Sequence, residues 1–117
     1  MATNIQKGRK GEMLAKEYLI SKGYRILDLN YRNKIGEIDI IAMDRNILVF
    51  NEVKTRTSTN FGYAYEAVNR KKQQKIIYCS QLYIRQKNLI DYQIRYDIIE
   101  VYLTPHIKIN HIENSFC

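Results

Sequence analysis

Residues 36–56, with the sequence GEIDIIA, MDRN and ILVFNEVKTR, constrain the fold of this chain more than any other stretch. Two runs rich in Ile, Leu, Val and Phe flank a short turn, which predicts a β-hairpin. Side chains alternate between the faces of a strand, so Glu37 and Asp39 share a face of the first strand. By the same rule, Glu52 and Lys54 share a face of the second. Ionised groups beside an apolar core are unfavourable unless a cation or a proton compensates them. The hairpin therefore predicts a charged functional site.

Hydrophobic periodicity predicts the remaining elements. Both faces of the strand at 47–54 are mostly apolar, which is typical of a central strand covered by helices on both sides. We expect one α/β domain over residues 1–117, with a mixed central sheet flanked by helices in the order α-β-β-β-α-β and an optional final strand. The predicted elements are a helix at 7–22, strands at 24–31, from Gly36 and at 47–54, a loop at 55–63, a helical region at 65–87 with Asn69 as an internal N-cap, a strand at 93–103, and a short edge strand at 107–112.

The charge of the chain indicates a polyanionic partner. The formal net charge is +7, from 19 Lys and Arg residues against 12 Asp and Glu residues. A basic protein with an acidic centre suits a metal-dependent enzyme that acts on a polyphosphate backbone, since basic groups attract the backbone and carboxylates bind the ion. Lys71, Lys72 and Lys75 crowd the start of the second helix, where cations oppose the helix dipole. They predict either a bound anion or an ordinary solvated basic turn.

Several protein classes are disfavoured. No apolar run approaches the roughly 20 residues that span a bilayer, and the N-terminal MATNIQKGRKGE lacks the apolar core of a secretory signal. We therefore expect a cytoplasmic protein without a membrane partner. Cys79 and Cys117 belong to no CxxC or Cys/His motif, so we expect reduced thiols, with Cys79 packed as a small apolar group.

Asp39 in GEIDIIA, followed by Glu52-Val53-Lys54, resembles the active site of the PD-(D/E)xK, restriction-endonuclease-like superfamily. In that motif, an acid on one strand precedes an acid-x-Lys on the next strand. The proline of the motif is replaced here by Ile38. The resemblance implies a restriction-endonuclease-like fold.

A closer resemblance covers nearly the whole chain. The segments GRKGEMLAKEYLISKGYRIL, NYRNKIGEIDIIA, LVFNEVKTR and RYDIIEV are similar to the YraN-type family, which is uncharacterised and described as predicted endonucleases related to Holliday-junction resolvases. Asn51 departs from the family, which usually places a hydrophobic residue there. It lies on the strand face opposite Glu52 and Lys54, so it affects local packing more than chemistry.

The resemblance implies Mg²⁺- or Mn²⁺-dependent hydrolysis of phosphodiester bonds in DNA, branched or structured DNA included. Asp39, Glu52 and the Val53 carbonyl would bind the metal, which prefers hard oxygen ligands. Lys54 would orient or deprotonate the attacking water, or neutralise charge on the phosphorus. The alternative for these groups is a buried structural ion pair.

Two further acids are candidate metal ligands. Glu12 resembles the acid that resolvase-like members carry on their first helix, where it completes the set of metal ligands. Its alternative role is a charge beside the apolar stripe of that helix. Glu37 is either an outer ligand of the metal or a residue at the solvated start of its strand.

The groups expected to contact the nucleic-acid backbone are basic: Arg56, Lys71, Lys72 and Lys75. Arg56 follows Lys54 on the same strand face if the strand continues, and a guanidinium can bind a phosphate through two hydrogen bonds. Tyr63 and Tyr65 either stack on bases or pack within the protein. His106 and His111 have no partner at a recognisable spacing and are interpreted as structural or exposed.

Junction resolution would require two active sites, and so a homodimer. A non-catalytic nucleic-acid-binding module that retains the nuclease fold is the main alternative to an enzyme. A protein-interaction domain is a third hypothesis.

Overall fold

The computed structural model describes residues 3–57 and 68–117. Two helices and five strands lie within these ranges: α1 (Asn4–Ser21), β1 (Arg25–Arg32), β2 (Glu37–Asp44), β3 (Ile47–Arg56), α2 (Arg70–Lys87), β4 (Gln93–Tyr102) and β5 (Lys108–Phe116). The order α-β-β-β-α-β-β confirms the predicted α/β class and includes the optional last strand. No helix in the described ranges is long and apolar enough to cross a membrane.

The five strands form one mixed sheet in the order β1-β2-β3-β4-β5. β1, β2 and β3 pair antiparallel, β4 runs parallel to β3, and β5 pairs antiparallel with β4. A parallel pair needs a long crossover connection, and α2 lies within the connection between β3 and β4. β3 is therefore the central strand, as predicted.

Within the described part of the chain, one helix covers each face of the sheet. On the α1 side, Ala15 and Leu19 pack against a cluster that includes Val49 of β3. On the α2 side, Cys79 packs against a cluster that includes Phe50. Neighbouring residues of β3 thus point into different cores, which confirms the predicted alternation. Cys79 is buried as expected, and both cysteines are free thiols.

Both helices begin at capping residues. α1 begins at Asn4 rather than at residue 7 because Thr3 and Gln6 form a capping box, in which the Gln6 N–H donates to the Thr3 hydroxyl and the Thr3 N–H donates to the Gln6 side chain. α2 begins at Arg70, and the side chain of Asn69 caps it as predicted. The predicted helical residues before 68 and the predicted loop residues after 57 lie outside the described chain.

The strand bounds differ from the prediction by more than one residue in β3 and β5. β3 continues to Arg56 because its last residues pair with the end of β4, where Arg56 lies opposite Tyr102. β5 extends to Phe116, although the last part of this strand, NHIENSF, is mostly polar. A register shift in the β4–β5 ladder brings Phe116 opposite Tyr96, and the two rings stack with their centroids 5.3 Å apart.

A buried polar network beneath α1 joins β4 and β5. The carboxylate of Asp97 is fully buried. It accepts hydrogen bonds from the Arg95 guanidinium, from the Asn114 N–H at 2.9 Å and from His111 Nε2 at 2.7 Å. The other ring nitrogen of His111 lies 3.2 Å from the Tyr18 hydroxyl on α1. His111 is thus structural, one of the two roles expected for it.

The network predicts a strong stability effect. Replacing Asp97 with Ala should lower the free energy of unfolding by about 3–5 kcal/mol, the range for a buried ion pair that loses one partner. Urea denaturation measures this, with Asp91→Ala as the control, since Asp91 is exposed in the turn before β4. The control should stay within about 0.5 kcal/mol of the wild type. A loss below about 1 kcal/mol for Asp97→Ala would contradict this view of the network.

Gly11 sets the approach of α1 to the sheet. A Cβ atom at Gly11 would lie 2.9 Å from the Cβ of Thr55 in β3, and closer still to its hydroxyl oxygen. Only a residue without a side chain allows this contact. The next residue, Glu12, is consequently held over the end of β3.

The close approach predicts opposite effects for two glycines of α1. Gly11→Ala should lower the free energy of unfolding by about 1–3 kcal/mol, because the added methyl group overpacks the contact with Thr55. A Cβ at Gly8 would meet no atom within 4 Å, so Gly8→Ala should stabilise the protein by about 0.5–1 kcal/mol through helix propensity. Thermal unfolding of the two variants provides the comparison. Equal shifts of the melting temperature would contradict the contact.

Candidate functional site

Asp39 lies at the point where β2 separates from β3. The two strands pair as far as Ile40 opposite Asn51. Beyond that pair, a carboxylate oxygen of Asp39 accepts a hydrogen bond from the Val53 N–H at 2.8 Å. The side chain of Asp39 thus takes the place of a backbone acceptor and is held beside the acid-x-Lys segment of β3.

The alternation of β2 is interrupted at Asp39. Ile38 packs in the core on the α2 side, whereas Ile40 packs in the core on the α1 side. On the neighbouring strand, Asn30 adopts a left-handed backbone conformation with φ of 50°. Irregularities of this kind re-aim side chains in a sheet. Asp39 is therefore directed towards the gap between strands rather than regularly to one face.

Glu52 is buried, with 6% of its surface exposed, and its carboxylate binds two ammonium groups. Lys72 Nζ lies 2.7 Å from Glu52 Oε1, and Lys54 Nζ lies 3.8 Å from the same oxygen. Lys54 shares the strand face of Glu52, as predicted, while Lys72 reaches the site from the first turn of α2. The structure thus brings together Asp39, Glu52 and Lys54, and adds Lys72.

Burial and neighbouring charges shift the pKa values of several groups in the site. Burial, followed by the charge of Glu52, raises the pKa of Asp39 to about 7, although the Val53 hydrogen bond opposes this shift. Burial, followed by the neighbouring Lys72, lowers the pKa of Lys54. Burial works against the charge of Lys72 too, but Glu52 outweighs it and raises the pKa of Lys72. The two lysines therefore do not hold the pKa of Asp39 in its ordinary range.

Glu12 faces the same region from α1. It lines a cleft of about 340 Å³ with Val53, and an adjoining cleft of about 270 Å³ with Asp39. Burial raises the pKa of Glu12, a hydrogen bond with Asn30 opposes this, and the charges of Glu37 and Glu52 add to the increase. Glu12 therefore shares its clefts with Asp39 and Val53, two of the predicted ligands.

Glu37 lies at the rim of the site. Its carboxylate is exposed and binds the Arg32 guanidinium at 2.7 Å. It lines a cleft of about 580 Å³ together with Glu12. This placement matches the solvated start of the strand, which was one of its two predicted roles.

The predicted backbone contacts divide into two groups. Arg56 is bound to Glu100, with 3.1 Å between Nε and Oε2, and only 13% of its side chain is exposed. Lys71 and Lys75 are exposed on α2. Lys72 points inward to Glu52. Tyr63 and Tyr65 lie outside the described residues.

Other basic groups surround the clefts at Glu12 and were missed by the sequence analysis. They belong to α1 and β1, and they line the clefts beside the acids: Lys7, Arg9, Lys16 and Arg32. The basic run KGRKG was visible in the sequence. Its direction relative to Glu12 depends on how α1 rests on β3, which the helical pattern alone does not determine.

The donor set fits a magnesium-type ion. The carboxylates of Asp39 and Glu52 and the carbonyl of Val53 are hard oxygen donors, and Mg²⁺ commonly takes one or two carboxylates together with water and phosphate. The raised pKa of Asp39 indicates a place where added positive charge would be favourable. Within residues 3–57 and 68–117, no three Asp, Glu, His or Cys side chains form a ready-made ion cage. A metal would therefore rely on two carboxylates, with Lys72 moved aside.

The fold and the site define an α/β protein that carries an acid-x-Lys pair on the central strand of a mixed sheet. Comparison with known proteins specifies the family. The model of the Uncharacterised protein family UPF0102 matches residues 11–101, and this chain belongs to that family. The match confirms the resemblance to the YraN-type family.

Three relatives illustrate the similarity. A UPF0102 protein of Caldanaerobacter subterraneus subsp. tengcongensis is 55% identical over 113 residues, which cover 93% of each chain. One from Alkaliphilus oremlandii is 52% identical over 116 residues, covering 97% of this chain and 99% of the relative. One from Clostridioides difficile is 51% identical over 113 residues, covering 97% and 98%. Their names assign no activity.

The raised pKa of Asp39 predicts a pH dependence of stability. An acid whose pKa is higher in the folded state contributes stability at low pH, and this contribution is lost as the pH rises from the unfolded value of 3.8 through about 7. The wild type in chelator should therefore lose stability between about pH 4 and pH 8. Asp39→Asn should lose less, because the amide oxygen still accepts the Val53 hydrogen bond but carries no charge.

Urea denaturation at a series of pH values tests this expectation. Asp91→Asn serves as the control, since Asp91 is exposed and distant from the site along the chain. The control should follow the wild-type curve. Parallel curves for Asp39→Asn and the wild type would show that Asp39 does not carry the pH dependence.

Proposed function

We propose that this protein is a metal-dependent nuclease that hydrolyses phosphodiester bonds in DNA, with Mg²⁺ or Mn²⁺ as its cofactor. The observation that carries the proposal is the convergence of Asp39 with Glu52 and Lys54 where β2 leaves β3. Two carboxylates and an amine side by side form the set of groups that metal-assisted hydrolysis requires.

Asp39 and Glu52 hold the ion in this proposal, with Val53 offering its carbonyl and Glu12 approaching from α1. When bound, the ion polarises the phosphate and lowers the pKa of a coordinated water. The Val53 N–H keeps one oxygen of Asp39 in place, so the other oxygen is available for a ligand. The backbone hydrogen bond thereby orients the carboxylate before any ion arrives.

Lys54 acts on the attacking water. Its ammonium lies 3.8 Å from Glu52 Oε1, next to the position proposed for the ion. Burial, and then Lys72, lower the pKa of Lys54. A lower pKa brings an amine closer to the range in which it can accept a proton from water near neutral pH. When protonated, the same group can neutralise charge on the phosphorus.

The charge distribution supports a polyanionic substrate. The net charge is +7, and basic side chains of α1 and β1 surround the clefts at Glu12. Cations around an acidic centre attract a phosphate backbone through counterion release. Branched or structured DNA is the proposed substrate class, which a symmetric homodimer would bind with two sites. We place this activity in the cytoplasm.

A non-catalytic nucleic-acid-binding module is the second candidate function. The ion pair between Lys72 and Glu52 favours it, because a carboxylate that is already paired has a structural role without a metal. This candidate predicts salt-sensitive DNA binding without cleavage. The two functions therefore differ in one measurable property, which is turnover.

Cleavage assays provide the test. Junction, flap, single-stranded and duplex DNA are incubated with the protein and Mg²⁺ or Mn²⁺, and we expect cleavage of at least one of them. Glu52→Gln and Lys54→Met should each reduce the rate by about 10²–10⁴-fold, the range for loss of a proton-transfer group or an electrostatic contact to the reacting atoms. Lys87→Met is the control and should retain most activity, because Lys87 is exposed at the opposite end of α2.

Two results would contradict the nuclease. One is an absence of cleavage on every substrate by protein whose folding has been verified by circular dichroism. The other is cleavage that persists unchanged in both site variants, which would come from another site or from a contaminating nuclease.

A further inference from the structure

We infer that Lys72 is an internal competitor of the metal: its ammonium occupies the Glu52 carboxylate in the metal-free protein and must leave when the ion binds. This inference rests on the proposed metal site. It adds Lys72, a residue of α2 outside the acid-x-Lys segment, as a regulatory group. Displacement of Lys72 links metal binding to the binding of a phosphate backbone.

The ion pair supports a competing role by its geometry. Lys72 Nζ lies 2.7 Å from Glu52 Oε1, well inside the 3.8 Å that separates Lys54 from the same oxygen. Only 7% of the Glu52 side chain is exposed, so few directions remain for another cation to approach. Lys54 already takes one of them. An incoming ion therefore meets Lys72.

Lys72 is able to leave, whereas Glu52 is not. The Lys72 side chain is 43% exposed, against 7% for Glu52. Its backbone is fixed independently, because the Lys72 N–H donates to the Asn69 side chain at 2.9 Å as part of the helix cap. The ammonium can consequently rotate into solvent without any change in α2.

The helix dipole weakens the hold on Lys72. The first turn of α2, which lies wholly in the described chain, contains basic residues and no acidic one. Cations are unfavourable near a helix N-terminus. Among the charges around Lys72, Glu52 and, to a smaller extent, Asp39 attract the ammonium into the site. A divalent ion bound to these acids would replace attraction with repulsion.

The displaced ammonium would lie beside the exposed Lys71 and Lys75. A phosphate backbone is the anion that this basic turn suits. A phosphate that binds Lys72 removes the competitor from Glu52, so nucleic acid should strengthen metal binding. By linkage, the metal should strengthen nucleic-acid binding by the same factor.

Replacement of Lys72 tests the inference without relying on catalysis. Lys72→Met keeps most of the side-chain volume and removes the charge, and Lys71→Met is the matched control one residue away. Calorimetric titration with Mn²⁺ should show about tenfold tighter binding for Lys72→Met, in line with removal of one nearby repelling charge. The control should stay within about twofold of the wild type.

Thermal unfolding in chelator gives a second readout. Lys72→Met should melt at a lower temperature than Lys71→Met, because Glu52 then loses its nearest cation and faces Asp39. Added Mn²⁺ should raise the melting temperature of Lys72→Met more than that of the control.

The outcomes distinguish a failure of the competitor role of Lys72 from a failure of the proposed metal site. If the wild type binds Mn²⁺ and Lys72→Met binds it equally or more weakly, the competitor role is wrong while the metal site stands. If neither the wild type nor Lys72→Met binds Mn²⁺, and neither gains stability from it, the proposed metal site itself is wrong.

Discussion

The hydrogen bond from the Val53 N–H to the Asp39 carboxylate is the interaction on which the candidate site depends. A sheet normally satisfies such an N–H with a neighbouring backbone carbonyl. Here β2 pairs with β3 only from Ile40 onward, and the side chain of the preceding Asp39 takes over that role. The separation opens a gap between the two strands, and the replacement acceptor places a carboxylate in that gap. The same contact thus keeps β3 in place and positions the carboxylate.

Charge at this gap is distributed between two helices and two strands. Asp39 and Glu52 belong to the strands, Glu12 approaches from α1, and Lys72 approaches from α2. Burial makes each ionised group dependent on its neighbours, because the low-dielectric surroundings penalise an isolated charge. Burial, and then the charge of Glu52, raise the pKa of Asp39, while Lys72 compensates Glu52 in a 2.7 Å ion pair, so the site favours further positive charge. The divalent ion of the proposed function would supply it.

Sequence reasoning succeeded where local pattern decides structure. The two apolar faces at 47–54 identified the central strand, and strand alternation placed Glu52 with Lys54. It did not predict which lysine of the basic turn points inward. The rotation of α2 over the sheet determines this, and it directs Lys72 towards Glu52. Sequence reasoning also predicted that Arg56 contacts phosphate, and it did not predict that Arg56 pairs with Glu100 on the neighbouring strand. Both contacts depend on how elements distant in sequence pack together, which local periodicity does not determine.

The most direct test of the central claim is a crystal structure of the protein grown with Mn²⁺, with anomalous scattering used to locate the ion. We expect an anomalous peak coordinated by Asp39 and Glu52, with the Lys72 ammonium withdrawn from Glu52. A peak elsewhere, or no peak while Lys72 remains bound to Glu52, would contradict it.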